Sequence, residues 1–178
     1  MPRFFVNNNQ IEDKYITIYG EDAHHISRSL RMAAGEHITV SDMDGYQYDC
    51  VLVSFTDAYV KAEILDKNES QTECPVRIHL FQALPKGDKL DFIIQKSVEL
   101  GVKEIIPVQM ERSIAKIEQN KVKQKTQRFN AIAESAAEQS KRTIIPTVTE
   151  PLSFKLALEK AKDLDILLVP YENQKGIL

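Results

Sequence analysis

The sequence predicts an α+β protein of two units, a small N-terminal β-barrel followed by an α/β unit with a parallel sheet. Three observations carry this. Residues 1–72 hold several short runs rich in β-branched and aromatic residues, separated by turn signals. Residues 73–178 alternate apolar strand-like runs with segments of helical periodicity. Charge divides at the same place: the first 72 residues carry six Lys/Arg against twelve Asp/Glu, and the remainder seventeen against fourteen. Such asymmetry suggests two units with different jobs.

In the first unit, Tyr15–Tyr19 reads as a strand. Ile38–Val40 leads into Asp44-Gly45, a two-residue hairpin turn, after which Tyr46–Phe55 resumes the strand pattern and Tyr59–Leu65 alternates again. One short helix interrupts them, with Asp22 placed to cap it, Ile26 and Leu30 sharing a face, and Gly35 following its end. Residues 66–74 are polar, precede Pro75, and are the expected linker.

In the second unit, Val76–Leu84 reads as a buried strand and Pro85–Asp88 as a loop with Asp88 as N-cap. A helix bearing Leu90, Ile93, Ile94 and Val98 ends at Gly101. Glu104–Gln109 is the next strand. Residues 120–141 form a long helix with Phe129, Ile132, Ala133, Ala136 and Ala137 inward. Phe154–Ala161 is a further helix and Asp165–Val169 a further strand. Strands joined by helices imply a parallel sheet with right-handed crossovers. Ligands of such sheets bind beyond the strand carboxyl ends, here Leu84–Gly87, Gln109–Ser113 and Pro170–Glu172.

The composition excludes several classes. With 43% hydrophobic and 28% charged residues among 178, the chain is an ordinary globular sequence. No apolar run approaches the ~18 residues of a membrane span, and the N-terminus has no secretory h-region. Cys50 and Cys74 make no disulfide framework or metal spacing and read as reduced thiols in a cytoplasmic protein. There is no P-loop, GxGxxG, HExxH or GxSxG motif.

Candidate functional groups are scattered. His24-His25 reads as structural or as ligands. Lys96 and Glu99 read as an intrahelical pair or a functional one. Residues 112–142 carry eight basic against three acidic residues, either a solvated face or a phosphate-attracting surface. Glu134, Glu138 and Arg142 lie four apart in one row, near Gln139 and Ser140. Arg112-Ser113 follows a strand end. Arg28 and Arg31, three apart on the expected short helix, and Arg3 are cations in an acidic unit and could grip a phosphate backbone.

Several stretches together resemble one family: Arg3-Phe4-Phe5, His25 with Leu30-Arg31-Met32, Asp44-Gly45, and Gln82-Ala83-Leu84-Pro85-Lys86-Gly87-Asp88-Lys89. They continue with Gln95-Lys96, Glu99-Leu100-Gly101-Val102, Ile106-Pro107, Arg112-Ser113, Ala136, Glu138-Gln139-Ser140 and Arg142. In order and nearly end to end they resemble the RsmE family, bacterial 16S ribosomal RNA uracil-N3 methyltransferases of the SPOUT superfamily. The resemblance implies a PUA-like, RNA-binding barrel over 1–72 and a SPOUT-type α/β methyltransferase domain, knotted and Rossmann-like, over 73–178. It implies S-adenosylmethionine as cofactor, 16S rRNA or the small ribosomal subunit as partner, and a homodimer. By position and family match Arg112, Glu138 and Arg142 are the catalytic candidates: the arginines as cations near the uracil carbonyl oxygens, and Glu138 to orient an arginine or to accept the proton, the orienting role preferred because a carboxylate near two arginines has a lowered pKa and is a poor base. Val169, Pro170, Tyr171 and Glu172 form the expected first wall of the cofactor pocket. Arg3, Arg28, Arg31, Lys86, Ser113, Gln139 and Ser140 are the expected RNA contacts. The family continues with a Gly-Pro-Glu-Gly-Gly loop that forms the knot and most of the pocket and does not occur here. The domain is therefore expected to be cut short before the knot, and this chain alone to be inactive, the activity belonging to a longer protein. A non-catalytic RNA-binding or ribosome-associated module is the alternative. A small-metabolite α/β enzyme would explain neither the barrel nor the basic helix.

Overall fold

A computed structural model of the chain describes residues 1–111 and 117–170. The first unit is a six-stranded sheet of β1 (Arg3–Phe5), β2 (Ile11–Glu12), β3 (Tyr15–Tyr19), β4 (His37–Ser41), β5 (Tyr46–Phe55) and β6 (Tyr59–Glu69), ordered β1-β4-β5-β6-β3-β2. Only β1–β4 is parallel. Bulges in the β5–β6 ladder at Asp49/Cys50 and Leu52/Ser54 bend the sheet. Its alternating inward residues, among them Phe4, Ile16, Ile18, Ile38, Leu52 and Val60, build one core with Ile26 as plug. Cys50 lies in that core, where burial pushes its thiol up to about 12; Cys74 is exposed.

Several local expectations are corrected. The short helix α1 (Gly20–His24) begins after Tyr19, so Asp22 lies inside its first turn rather than capping it. It continues as a π-turn over His25–Ser29. Ile26 is fully buried, but Leu30 is 41% exposed, because the π-turn rotates the following residues off the buried face. The chain reverses at Arg31 (φ 54°), before Gly35. Arg31 therefore does not share a helix face with Arg28. The hairpin after β4 is longer than two residues: Asp42 Oδ1 accepts from the backbone N–H of Asp44 and Tyr46, and Met43 and Gly45 both have positive φ. The polar residues 66–69 are not linker but the end of β6, paired with Tyr46–Asp49. Lys67 Nζ lies 4.1 Å from the Tyr46 ring centroid there.

In the second unit β7 (His79–Ala83), β8 (Glu104–Gln109), β9 (Thr147–Val148) and β10 (Leu152–Ser153) form a wholly parallel sheet. The strand expected over Val76–Leu84 is thus shorter. On one side β8 pairs with β7. On the other, β9 pairs with its start and β10 with its end. Helices α2 (Lys89–Glu99) and α3 (Val122–Gln139) cover one face, burying Ile105 with Ile94, Val98, Phe129, Ala133 and Ala137. Helix α4 (Phe154–Ala161) covers the other, burying Ile106 and Val108 with Ala157. A strand covered on both faces has a continuous apolar run, and Ile105–Val108 is one. Phe5 of β1 joins the second core, which ties the units together.

The strand expected over Asp165–Val169 does not form. Ile166, Leu168 and Val169 are 76%, 87% and 85% exposed. Their β-propensity is real, but no described strand offers them a partner, and strand stability comes from cross-strand pairing.

Candidate functional site

The parallel topology sets which groups can meet. Helix α3 starts beyond the carboxyl end of β8 and returns the chain to β9, whose Thr147 pairs with Glu104 at the amino end of β8. The two ends of α3 therefore face opposite edges of the sheet. At about 1.5 Å per residue its 18 residues span about 27 Å.

At the carboxyl edge, the loop after β7 and the N-terminal half of α3 face each other across a groove lined by Pro85, Gly87, Asp88, Lys125 and Arg128. Gly87 needs its left-handed φ of 66° for the loop to turn. Lys86, Lys89 and Lys125 are exposed and make no ion pair among the described residues. Arg128 is held by a bidentate bridge to Asp91 of α2, at 2.7 and 2.9 Å. Arg112 and Ser113, expected at this edge, lie outside the described residues, as do Tyr171 and Glu172.

Arg142, expected as a catalytic group, lies at the other edge and inside the fold. Helix α3 ends at Ser140, Lys141 turns left-handed (φ 60°), and Arg142 points inward rather than continuing the row of Glu134 and Glu138. It is 4% exposed. Its Nε and NH2 donate to Glu73, the latter at 2.6 Å, and its NH1 donates to the carbonyls of Val98 and Val102. Glu73 also accepts from the N–H groups of Thr143 and Ile144. Burial pushes the Glu73 carboxyl up, but these donors more than offset it and hold the group below its usual range. The guanidinium thus closes the C-terminus of α2 and locks the inter-unit segment to the end of α3.

Glu138 faces the barrel. It lines two adjoining grooves, one with Arg3, His25 and Gln139, the other with Asp22, His24, Arg28 and Glu134. Its carboxyl is pushed up to about 7, by burial first and then by the charges of Asp22 and Glu134. The expectation of a lowered pKa beside arginines is overturned because Arg142 has turned inward to Glu73. Burial and Glu134 raise Asp22 as well. The second groove gathers the carboxylates of Glu21, Asp22, Glu134 and Glu138 around Arg28, His24 and His25.

The other RNA candidates are placed variously. The Arg3 guanidinium bonds Ser41 Oγ at 2.6 Å and Gln47 Oε1 at 3.0 Å and is half-buried. Ser140 Oγ is spent on the Ala136 carbonyl, 2.7 Å away. Arg28, Arg31, Lys86 and Gln139 are exposed, as are Val169 and Pro170. The ring of His25 packs edge-on to Phe4, and Lys96 pairs with Glu99 at 2.7 Å within α2. No group of three or more His, Cys, Asp or Glu among the described residues could hold a metal.

Sequence reasoning missed Glu73, which looks like one more carboxylate in a polar linker. It also missed the Asp91–Arg128 bridge, 37 residues apart. Lys125 carried a legible signal, discussed below, in its position at a helix start.

An RNA methyltransferase domain family matches residues 72–178, and an RNA methyltransferase PUA domain family matches residues 18–65. The chain is 38% identical over 175 residues to the ribosomal RNA small subunit methyltransferase E of Bacillus subtilis (strain 168), covering 97% of this chain and 68% of that protein. The crystal structure of the corresponding Neisseria gonorrhoeae enzyme, bound to S-adenosyl methionine, matches with a TM-score of 0.79 at 34% identity, covering 90% of this chain and 66% of that one. A Legionella pneumophila methyltransferase in complex with the same cofactor matches with a TM-score of 0.82 at 29% identity, covering 97% and 72%. The chain spans about two thirds of the length of these relatives. The curled six-stranded sheet is a PUA-like domain, and the parallel unit is a methyltransferase domain. The chain belongs to the ribosomal RNA small subunit methyltransferase E family.

Proposed function

We propose that this protein methylates N3 of a uridine in the 16S ribosomal RNA of the small subunit, with S-adenosylmethionine as methyl donor. The observation that carries the reading is the family match along nearly the whole chain, at 38% identity over 175 residues, on a two-unit architecture. In this reading residues 1–72 bind RNA and residues 73–178 belong to a SPOUT-type methyltransferase domain. The protein works in the cytoplasm as a homodimer. No described helix is long and apolar enough to cross a membrane.

The chemistry asks for a held base and a stabilised anion. Uracil N3 carries an imide proton that must leave before or during alkylation, and a cation near the carbonyl oxygens stabilises the charge that develops. Arg112, which follows the carboxyl end of β8, is the candidate for that cation. Lys86, beyond the carboxyl end of β7, and Ser113 would contact the RNA. Arg142 and Glu138 sit at the opposite edge. Along six-residue β8 the two edges are about 17 Å apart. Arg142 is therefore a positioning residue, and Glu138 belongs to the contact with the barrel. Arg28, Arg31 and Gln139 remain free to meet RNA at the barrel side, whereas Arg3 and Ser140 are engaged within the fold. Val169 and Pro170, the candidates for the first wall of the cofactor pocket, are exposed.

The test is incubation with small subunits lacking the modification and with labelled methyl donor, followed by nucleoside analysis of the rRNA. Label in N3-methyluridine is the expected result. Label in another nucleoside, or none, overturns the reading. The match of residues 18–65 to an RNA methyltransferase PUA domain family admits a second reading, a non-catalytic RNA-binding module. Calorimetry with S-adenosylmethionine separates the two: saturable binding near one site per chain supports the enzyme, and no heat with RNA binding retained supports the module.

A further inference from the structure

The charges of α3 run against its own dipole. A helix is stabilised by carboxylates in its first turn and cations in its last. The first turn of α3 has no acidic residue, its last turn has no basic residue, and its N-cap is Lys121, which makes no capping bond. Lys123 and Lys125 stand in the positive first turn instead, and Glu134 and Glu138 lie toward the negative end. Local rules broken without a local compensation mark functional positions. Across the groove, Lys86 of the loop after β7 and Lys89, the first residue of α2, each stand between residues that line it. Of the two carboxylates in its wall, Asp91 is bridged to Arg128 and Asp88 is exposed.

We propose that this groove, between the Pro85–Asp88 loop and the N-terminal half of α3, binds the phosphate backbone of an RNA strand, with Lys86, Lys89 and Lys125 as the phosphate contacts. This rests on the RNA-substrate reading above and says where on the methyltransferase unit the strand lies. Three features fit. Lysine is a flexible point charge suited to a backbone rather than to a base edge. The three lysines make no ion pair among the described residues and outnumber Asp88, the carboxylate of the groove wall that is not bridged to Arg128. The groove opens at the strand carboxyl ends, where open parallel sheets take their ligands. Arg128, pinned by Asp91, forms a fixed cationic rim rather than a mobile contact.

The experiment measures binding of a mixed-sequence single-stranded RNA to this chain by fluorescence anisotropy across a salt series. It compares wild type, Lys89→Gln/Lys125→Gln, Lys86→Gln, and the control Lys14→Gln/Lys103→Gln. The controls are exposed lysines, on the barrel and at the amino edge of the sheet. Each phosphate contact on a single strand contributes about 0.7 to the slope of log affinity against log salt. The double variant in the groove should lose about 1.4 of that slope and about tenfold in affinity at low salt, and Lys86→Gln about half as much slope. All variants should keep the wild-type unfolding midpoint, since the side chains are exposed. If the groove pair and the control pair lose affinity equally, the groove is not the site, while the RNA-substrate reading survives. If wild type binds no RNA at any salt, both fall together.

Discussion

The two ends of α3 hold similar residue types and use them oppositely. At its start Lys121, Lys123, Lys125 and Arg128 stand at the surface, and among the described residues only Lys121 and Arg128 have ion-pair partners, Glu118 and Asp91. At its end Arg142 is buried with every nitrogen bonded, while Glu138 is left against two other carboxylates. The difference teaches that charge counts over a segment do not locate a site. The excess of cations in residues 112–142 is one fact at the sequence level. In the fold it divides into an open cationic edge and a closed structural lock.

The lock should give the largest effect. Arg142→Ala removes the buried member of the pair and leaves the partly buried Glu73 carboxylate without its cation and the carbonyls of Val98 and Val102 without their donor. Removing one partner of a buried pair costs about 3–5 kcal/mol, and urea unfolding should show it. Glu73→Ala should cost a similar amount. Loss of methylation by Arg142→Ala with the unfolding midpoint unchanged would return Arg142 to the catalytic list and break the comparison.

Why Arg142 leaves the row predicted with Glu134 and Glu138 is physical. Spacing of four predicts one helix face only while the backbone stays helical, and Lys141 leaves it. Elements whose signal is local were legible: β8 and α4 occur with the predicted bounds, and α2 ends at Gly101 as expected. That glycine is required twice, by its φ of 94° and because a Cβ there would lie 3.1 Å from Cys74 Cβ. Elements that depend on a distant partner were not legible. Residues 66–69 became strand because Tyr46–Asp49 lie opposite, and residues 165–169 did not because nothing described does. Glu73 and Asp91 owe their roles to partners 69 and 37 residues away.

The acidic groove gives the second effect, dependent on pH. Glu138 is held at about 7 in the folded chain, against the 4.5 of an ordinary glutamate. A carboxyl raised on folding contributes stability that is complete below the unfolded value and is lost as pH rises through the folded one. Wild type should therefore lose stability between about pH 4.5 and 7.5, by about 1–2 kcal/mol, since the group is partly solvated and its neighbours' charges are screened. Glu138→Gln should flatten that fall and be the more stable protein at pH 8, read from urea midpoints across the pH range. Asp22, raised by burial and by Glu134, adds a decline of the same sign. A Glu138→Gln protein with the wild-type pH profile would show that the three carboxylates do not feel one another.

The smallest effect tests the reversed charges of α3 most directly. Lys123 is exposed in the first turn of the helix and makes no ion pair among the described residues. Replacing it with Glu puts a carboxylate where the dipole favours one, which should stabilise the fold by about 0.3–1 kcal/mol at low ionic strength, less in high salt. Lys123 does not line the groove, so the single change should weaken RNA binding far less than Lys89→Gln/Lys125→Gln does. A gain in stability means that the cations at this end are held against the preference of the helix, as a selected binding edge would require. No gain at low salt means that the arrangement costs the fold nothing, and the groove must then stand on its salt dependence alone.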